Sequence, residues 1–65
     1  MITLIRLPAV LERTGLGRSM LYELMERAEF PRPVKIAGGR LNFWSDKEVD
    51  DWVAERLAQR EELAA

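Results

Sequence analysis

The stretch TGLGRSMLYELMERAEFPRP, residues 14–33, decides how this chain folds. Leu21, Leu24, Met25 and Ala28 recur at the spacing of one helical face, which predicts a helix from Arg18 or Ser19 to Ala28 with that stripe buried. Ser19, Glu23, Glu26 and Arg27 face the other way, with Met20 and Tyr22 on the flanks. Before the helix stands Gly-Leu-Gly (15–17), a link short enough to turn the chain sharply while burying one apolar side chain at the bend. After it, Pro31 and Pro33 disfavour the α region at the residues preceding them and impose an extended path.

Outward from this segment, the neighbours are legible in turn. Upstream, Pro8 suits the first turn of a helix, where its missing N–H costs nothing. Leu7, Val10, Leu11 and Thr14 follow at helical spacing, and Gly15 can take the positive φ that ends the helix. The preceding ITLIRL has strand-like residues and can pair weakly. Downstream, VKI and RLNFW read as strands joined around AGG, with Gly38 and Gly39 supplying the positive φ angles of a tight turn. Residues 45–65 begin with Ser45 or Asp46 as a cap and Glu48 placed as in a capping box. Val49, Trp52, Val53 and Leu57 then mark the apolar stripe of a last helix, with fraying expected over EELAA (61–65). The order is helix, sharp turn, helix, hairpin, helix: a mainly α winged helix-turn-helix with a small β-hairpin wing, one domain over residues 1–65. Trp44, Trp52, Phe30 and Phe43 are read as its core.

Composition bounds the function. The 65 residues contain no cysteine and no histidine, which removes disulfides, Cys/His zinc sites and His- or Cys-based catalysis. A chain this short leaves little room for a deep substrate pocket, such pockets being typically ~300–1,000 Å³. No enzyme activity, catalytic residue, cofactor or metal is expected. Arg6, Glu12 and Arg13 interrupt the apolar N-terminus, and nothing approaches the ~20 apolar residues of a membrane span, so a cytoplasmic protein with no membrane partner is expected.

The formal net charge of −1 conceals an asymmetry. Residues 1–40 hold seven Lys/Arg against four Glu, whereas residues 41–65 hold three Lys/Arg against seven Asp/Glu. Two surfaces with different tasks would produce this, as would chance in a small domain. Arg32, Lys35 and Arg40 concentrate the positive charge on the proline segment and the hairpin.

The motifs LPxV (7–10), TGLxRSxLY (14–22), FPxPVK (30–35), the Gly39-Arg40 wing and WxxxEVxxW (44–52) stand in one order and spacing. Together they resemble the AlpA family of small phage- and prophage-encoded DNA-binding regulators, over residues 4 to about 57. The resemblance implies a MerR-like winged helix and sequence-specific binding of double-stranded DNA. It implies a transcriptional regulator, or an excisionase that directs an integrase toward prophage excision. Departures from the family pattern are Gly17 where a Ser or Thr cap is usual, Glu23 where a basic or polar residue is usual, Glu29 in place of a common glycine, and a wing longer by about one residue. They bear on the target sequence more than on the fold.

Under that reading, helix 18–28 enters the major groove and wing 34–44 lies on the minor groove or backbone. The candidate DNA-binding residues are Arg18, Ser19, Tyr22, Glu23, Arg32, Lys35 and Arg40. Ser19 and Tyr22 can donate to phosphate; Arg18 reaches a phosphate or a guanine edge; Glu23 can accept from a cytosine amino group. Each has an ordinary structural alternative. Tyr22 can flank the core, Arg18 can pair with Glu12, and Glu23 can pair with Arg27. Met20 is open to a thymine methyl or to the core edge. One module rarely specifies a genomic site, so a homo-oligomer on repeated half-sites, or a DNA-bound partner such as an integrase, is expected. A protein-interaction module with weak or lost DNA binding is the competing reading, motivated by Glu23, Glu26 and the acidic last helix.

Overall fold

Two bends in the backbone organise everything else. The computed structural model describes residues 1–64, and side chains through residue 62. Helix α1 (Leu7–Thr14) starts on Pro8 in its first turn and stops at Gly15, whose φ is 75° and whose N–H donates to the Leu11 carbonyl at 2.8 Å. The Thr14 hydroxyl donates to the Val10 carbonyl at 2.9 Å and accepts from the Leu16 N–H at 3.2 Å, which fixes the turn into α2. Helix α2 (Arg18–Glu26) has Gly17 at its N-cap without a side-chain cap.

The second bend corrects the sequence reading. Helix α2 ends at Glu26, two residues before the expected Ala28, and Ala28 is exposed with φ 58° instead of lying in the buried stripe. Its N–H donates to the Met25 carbonyl at 3.1 Å, and the Glu29 N–H donates to the Leu24 carbonyl at 2.8 Å. These two bonds form a Schellman ending, in which a left-handed residue reverses the chain and satisfies the last carbonyls. The reversal delivers Phe30 into the core, where it is 4% exposed. An L-residue in this conformation costs roughly 1–2 kcal/mol, while glycine gives back part of that through the unfolded chain's extra freedom. Ala28→Gly should therefore stabilise the domain by about 0.5–1 kcal/mol, which thermal denaturation would register as a rise of several degrees. A lower melting temperature would contradict the conformational account.

Strands β1 (Leu4–Ile5), β2 (Val34–Ile36) and β3 (Leu41–Ser45) form an antiparallel sheet in the order β1-β3-β2. The wing pairs Val34 with Phe43, Lys35 with Asn42 and Ile36 with Leu41. Its turn uses positive φ at Ala37 (56°) as well as at Gly38 (67°) and Gly39 (88°). The weakly expected first strand is real: Leu4 pairs with Ser45 and Ile5 with Trp44. Thr3 and Asp46 extend that pairing, with Thr3 N–H donating to Asp46 Oδ1 at 2.9 Å and Asp46 N–H donating to the Thr3 carbonyl at 3.0 Å. The Thr3 amide holds the Asp46 carboxyl below its ordinary value.

Helix α3 (Asp46–Ala64) is capped by Ser45, whose Oγ accepts from the Glu48 N–H at 3.3 Å. Asp50 receives Arg13 Nη1 of α1 at 2.9 Å on both carboxylate oxygens. The expected fraying over 61–65 concerns the end of this helix; residue 65 and the side chains of 63–64 lie outside the described residues.

The core takes one side chain from each main piece of the chain: Val10 (α1), Leu21 (α2), Phe30 (the proline link), Trp44 (β3) and Val49 (α3). Trp44 Nε1 donates to the Pro31 carbonyl at 3.1 Å, and Trp52 Nε1 to the Glu29 carbonyl at 2.8 Å, so both indoles fasten the link that follows α2. Phe30 and Trp52 meet edge to face at 5.0 Å. Two expected core residues sit elsewhere. Phe43 is half-buried beneath the Arg6 guanidinium, 5.0 Å from its ring centroid, because the alternation along β3 turns it away from Trp44. Leu57 is 50% exposed, beyond the reach of the small core.

Candidate nucleic-acid interface

Alternation along β3 also turns Asn42 to the Trp44 side of the sheet, and Lys35, opposite Asn42, shares that side. This face of the wing looks toward α2. Two hollows result, of about 260 Å³ and 330 Å³, and both are lined by Tyr22 and Asn42. The first gathers Arg18 from the start of α2, Arg40 from the wing turn and Arg6 from the β1–α1 junction. The second gathers Arg32, Lys35 and one acid, Glu26.

Of the seven residues singled out from sequence, Arg18, Tyr22, Arg32, Lys35 and Arg40 thus line one of two adjoining hollows. Ser19 and Glu23 line neither; both are exposed on α2. The Glu23 carboxylate accepts from Arg27 Nη2 at 2.9 Å, so its charge is already matched one helical turn away. Tyr22 and Met20 are 43% and 46% exposed, too open for core residues.

The ion pairs sharpen the picture. Arg13, Arg27 and Lys47 pair with Asp50, Glu23 and Asp51. Among the described residues, Arg6, Arg18, Arg32, Lys35 and Arg40 have no carboxylate within salt-bridge distance. Four of these, Arg18, Arg32, Lys35 and Arg40, stand unneutralised around the two hollows and make a positive field on one face despite the net negative chain, while the Arg6 guanidinium lies over Phe43 on the other side of the sheet.

Two lining residues escaped the sequence reading. Arg6 borders the first hollow because β1 pairs with β3, while its guanidinium packs on Phe43 across the sheet. Asn42 would have been found from strand parity with Lys35. Its Oδ1 is the one buried side-chain polar atom without a hydrogen-bond partner among the described residues.

A third hollow, of about 430 Å³, shares no residue with these two. Glu29, Glu48, Asp51 and Glu55 surround Trp52 there, with Arg56 stacked on the indole at 4.9 Å. The charge asymmetry of the sequence is therefore spatial. Among the described residues there is no cluster of His, Cys, Asp or Glu suited to a metal, and no helix is long and apolar enough to cross a membrane.

Comparison with known proteins agrees with the motifs. The family model described as "Prophage CP4-57 regulatory protein (AlpA)" matches residues 3–57. The chain is 43% identical over 56 residues to the "Uncharacterized protein ORF88" of Enterobacteria phage P4, a match spanning 86% of this chain and 62% of that relative. It is 30% identical over 61 residues to the "DNA-binding transcriptional activator AlpA" of Escherichia coli (strain K12), covering 85% of this chain and 86% of that one. No solved structure matches the chain.

Proposed function

The chain belongs to the prophage regulatory protein (AlpA) family, and from that premise we propose that it is a sequence-specific double-stranded DNA-binding regulator. The observation that carries the reading is the convergence of four unpaired cations, Arg18, Arg32, Lys35 and Arg40, on the face shared by α2 and the wing. Helix α2 lies in the major groove. Arg18 reaches a phosphate or a guanine edge from its first turn, and the hydroxyls of Ser19 and Tyr22 donate to the backbone. Lys35 and Arg40 bring the wing against the minor groove and its phosphates, and Arg32, between two prolines, loses little freedom on contact. Glu23, already paired with Arg27, neither repels phosphate strongly nor reads a base alone.

Two or more copies on repeated half-sites, or one copy beside a DNA-bound partner such as an integrase, supply the specificity that one module lacks. Regulation of transcription and direction of excision use the same surface. Adding the protein to an integrase-driven excision reaction separates them: unchanged excision eliminates the second role. The acidic hollow around Trp52 favours a protein-facing task for α3 alongside DNA binding.

The test is fluorescence anisotropy with the duplex flanking the chain's own gene, beside a scrambled duplex, at several salt concentrations. Four cations on phosphates give a log–log salt slope of roughly −3.6, or about a 150-fold loss between 50 and 200 mM salt. Preference for the native duplex with a slope near that value is the expected result. Absence of binding at low salt would transfer the role to protein interaction.

A further inference from the structure

The buried, unpartnered carbonyl of Asn42 is at odds with its surroundings. Strand β3 is otherwise apolar at Leu41, Phe43 and Trp44, and an apolar residue at 42 would leave no stranded acceptor. A buried polar group without a partner is destabilising, and such groups are rare enough in native folds to require a reason. Asn42 lines both basic hollows beside Tyr22, at the junction of α2 with the wing. Among the described residues its amide nitrogen makes no hydrogen bond, and it is not a buried atom without a partner. With the carbonyl turned inward, the two N–H donors open into the hollows among the unpaired cations.

We propose that Asn42 is a DNA-binding residue, its amino group donating to a phosphate oxygen between the contacts of α2 and those of the wing. The proposal rests on the DNA-binding reading above. It adds a neutral donor to a set of cations, and the distinction is measurable. A cation on a phosphate releases a counterion and steepens the salt dependence; a neutral donor strengthens binding without changing the slope.

Asn42→Leu removes the stranded acceptor and the donors together. The expected result is an unchanged or higher melting temperature, with duplex affinity about tenfold weaker at every salt concentration and a parallel log–log line. Wild-type affinity would overturn the proposal. So would a shallower slope, since Asn42 would then act by placing Lys35 or Arg40, and so would a lowered melting temperature that accounts for the loss. Asn42→Asp keeps the shape and replaces the donors by an oxygen, so it serves if the leucine variant fails to fold. Binding weakened at least tenfold is expected, and near-wild-type binding overturns the assignment. Failure of the wild-type chain to bind any duplex would instead count against the functional reading, and it would be seen before any variant is made.

Discussion

Trp44→Ala should leave the chain largely unfolded at 25 °C. Trp44 is 1% exposed, belongs to the five-residue core and pairs with Ile5 of β1. Truncating a buried Trp costs ~3–5 kcal/mol, because the small side chain leaves a cavity its neighbours cannot close. At ~0.05–0.15 kcal/mol per residue, a chain of this length has only ~3–10 kcal/mol in total. Trp44 also donates to the Pro31 carbonyl at 3.1 Å, so its loss frees the link that carries Phe30 inward. Circular dichroism would show a cooperative melt for the wild type and little or no folded baseline for the variant. Trp44→Phe keeps most of the volume but not the N–H, and should melt between the two. A Trp44→Ala protein that melts like wild type would mean the core is not organised around this residue. Phe43→Ala, half-buried on the other side of the sheet, should be far milder.

The contrast between Trp44 and Phe43 indicates what the sequence can and cannot disclose. Apolar spacing and breakers located α1, α2, the wing and the start of α3, because Pro8, Gly15, Gly38–Gly39 and Ser45 act locally. Features decided by distant partners were harder to read. Phe43 and Trp44 are adjacent and aromatic, and only the pairing of β3 with both β1 and β2 decides which one is buried. Leu57 keeps the helical period of Val49 and Val53, but the domain has no more core to offer it. Ala28 and Ala37 adopt left-handed backbone without being glycine, so residue type gives no warning at these two positions, although Gly38 and Gly39 mark the wing turn.

The candidate interface is legible to a similar depth. Arg18, Tyr22, Arg32, Lys35 and Arg40 follow from a helix-turn-helix with a charged wing, and all five line the two hollows. Arg6 and Asn42 required the sheet register. A two-residue β1 strand is too short to announce its partner, yet it is what sets Arg6 at the border of the first hollow. Glu23 shows the converse. Its outward position on the helix is correct, but the (i, i+4) pair with Arg27 changes what its charge can do.

Replacing both Lys35 and Arg40 by alanine should weaken duplex binding about 60-fold near 0.1 M salt, if each neutralises one phosphate. The figure follows from a slope of about 0.9 per contact: two contacts remove roughly 1.8 from the log–log slope, and the lines of variant and wild type converge toward 1 M salt. The fold should be unaffected, since both residues are exposed and neither forms an ion pair among the described residues. A matched control tests position against bulk charge. Lys47→Ala with Arg60→Ala removes the same two charges from α3, outside both basic hollows. If the wing contacts DNA, the control keeps the wild-type slope and most of the affinity, because exposed charges beyond a Debye length of ~10 Å are screened at this ionic strength. Equal losses from the two pairs would mean that net charge alone governs association, and that the wing has no privileged contact. A loss at the wing that is equal on native and scrambled duplexes would identify Lys35 and Arg40 as backbone contacts, leaving sequence discrimination to α2. A larger loss on the native duplex would place the wing among the elements that read sequence or groove width.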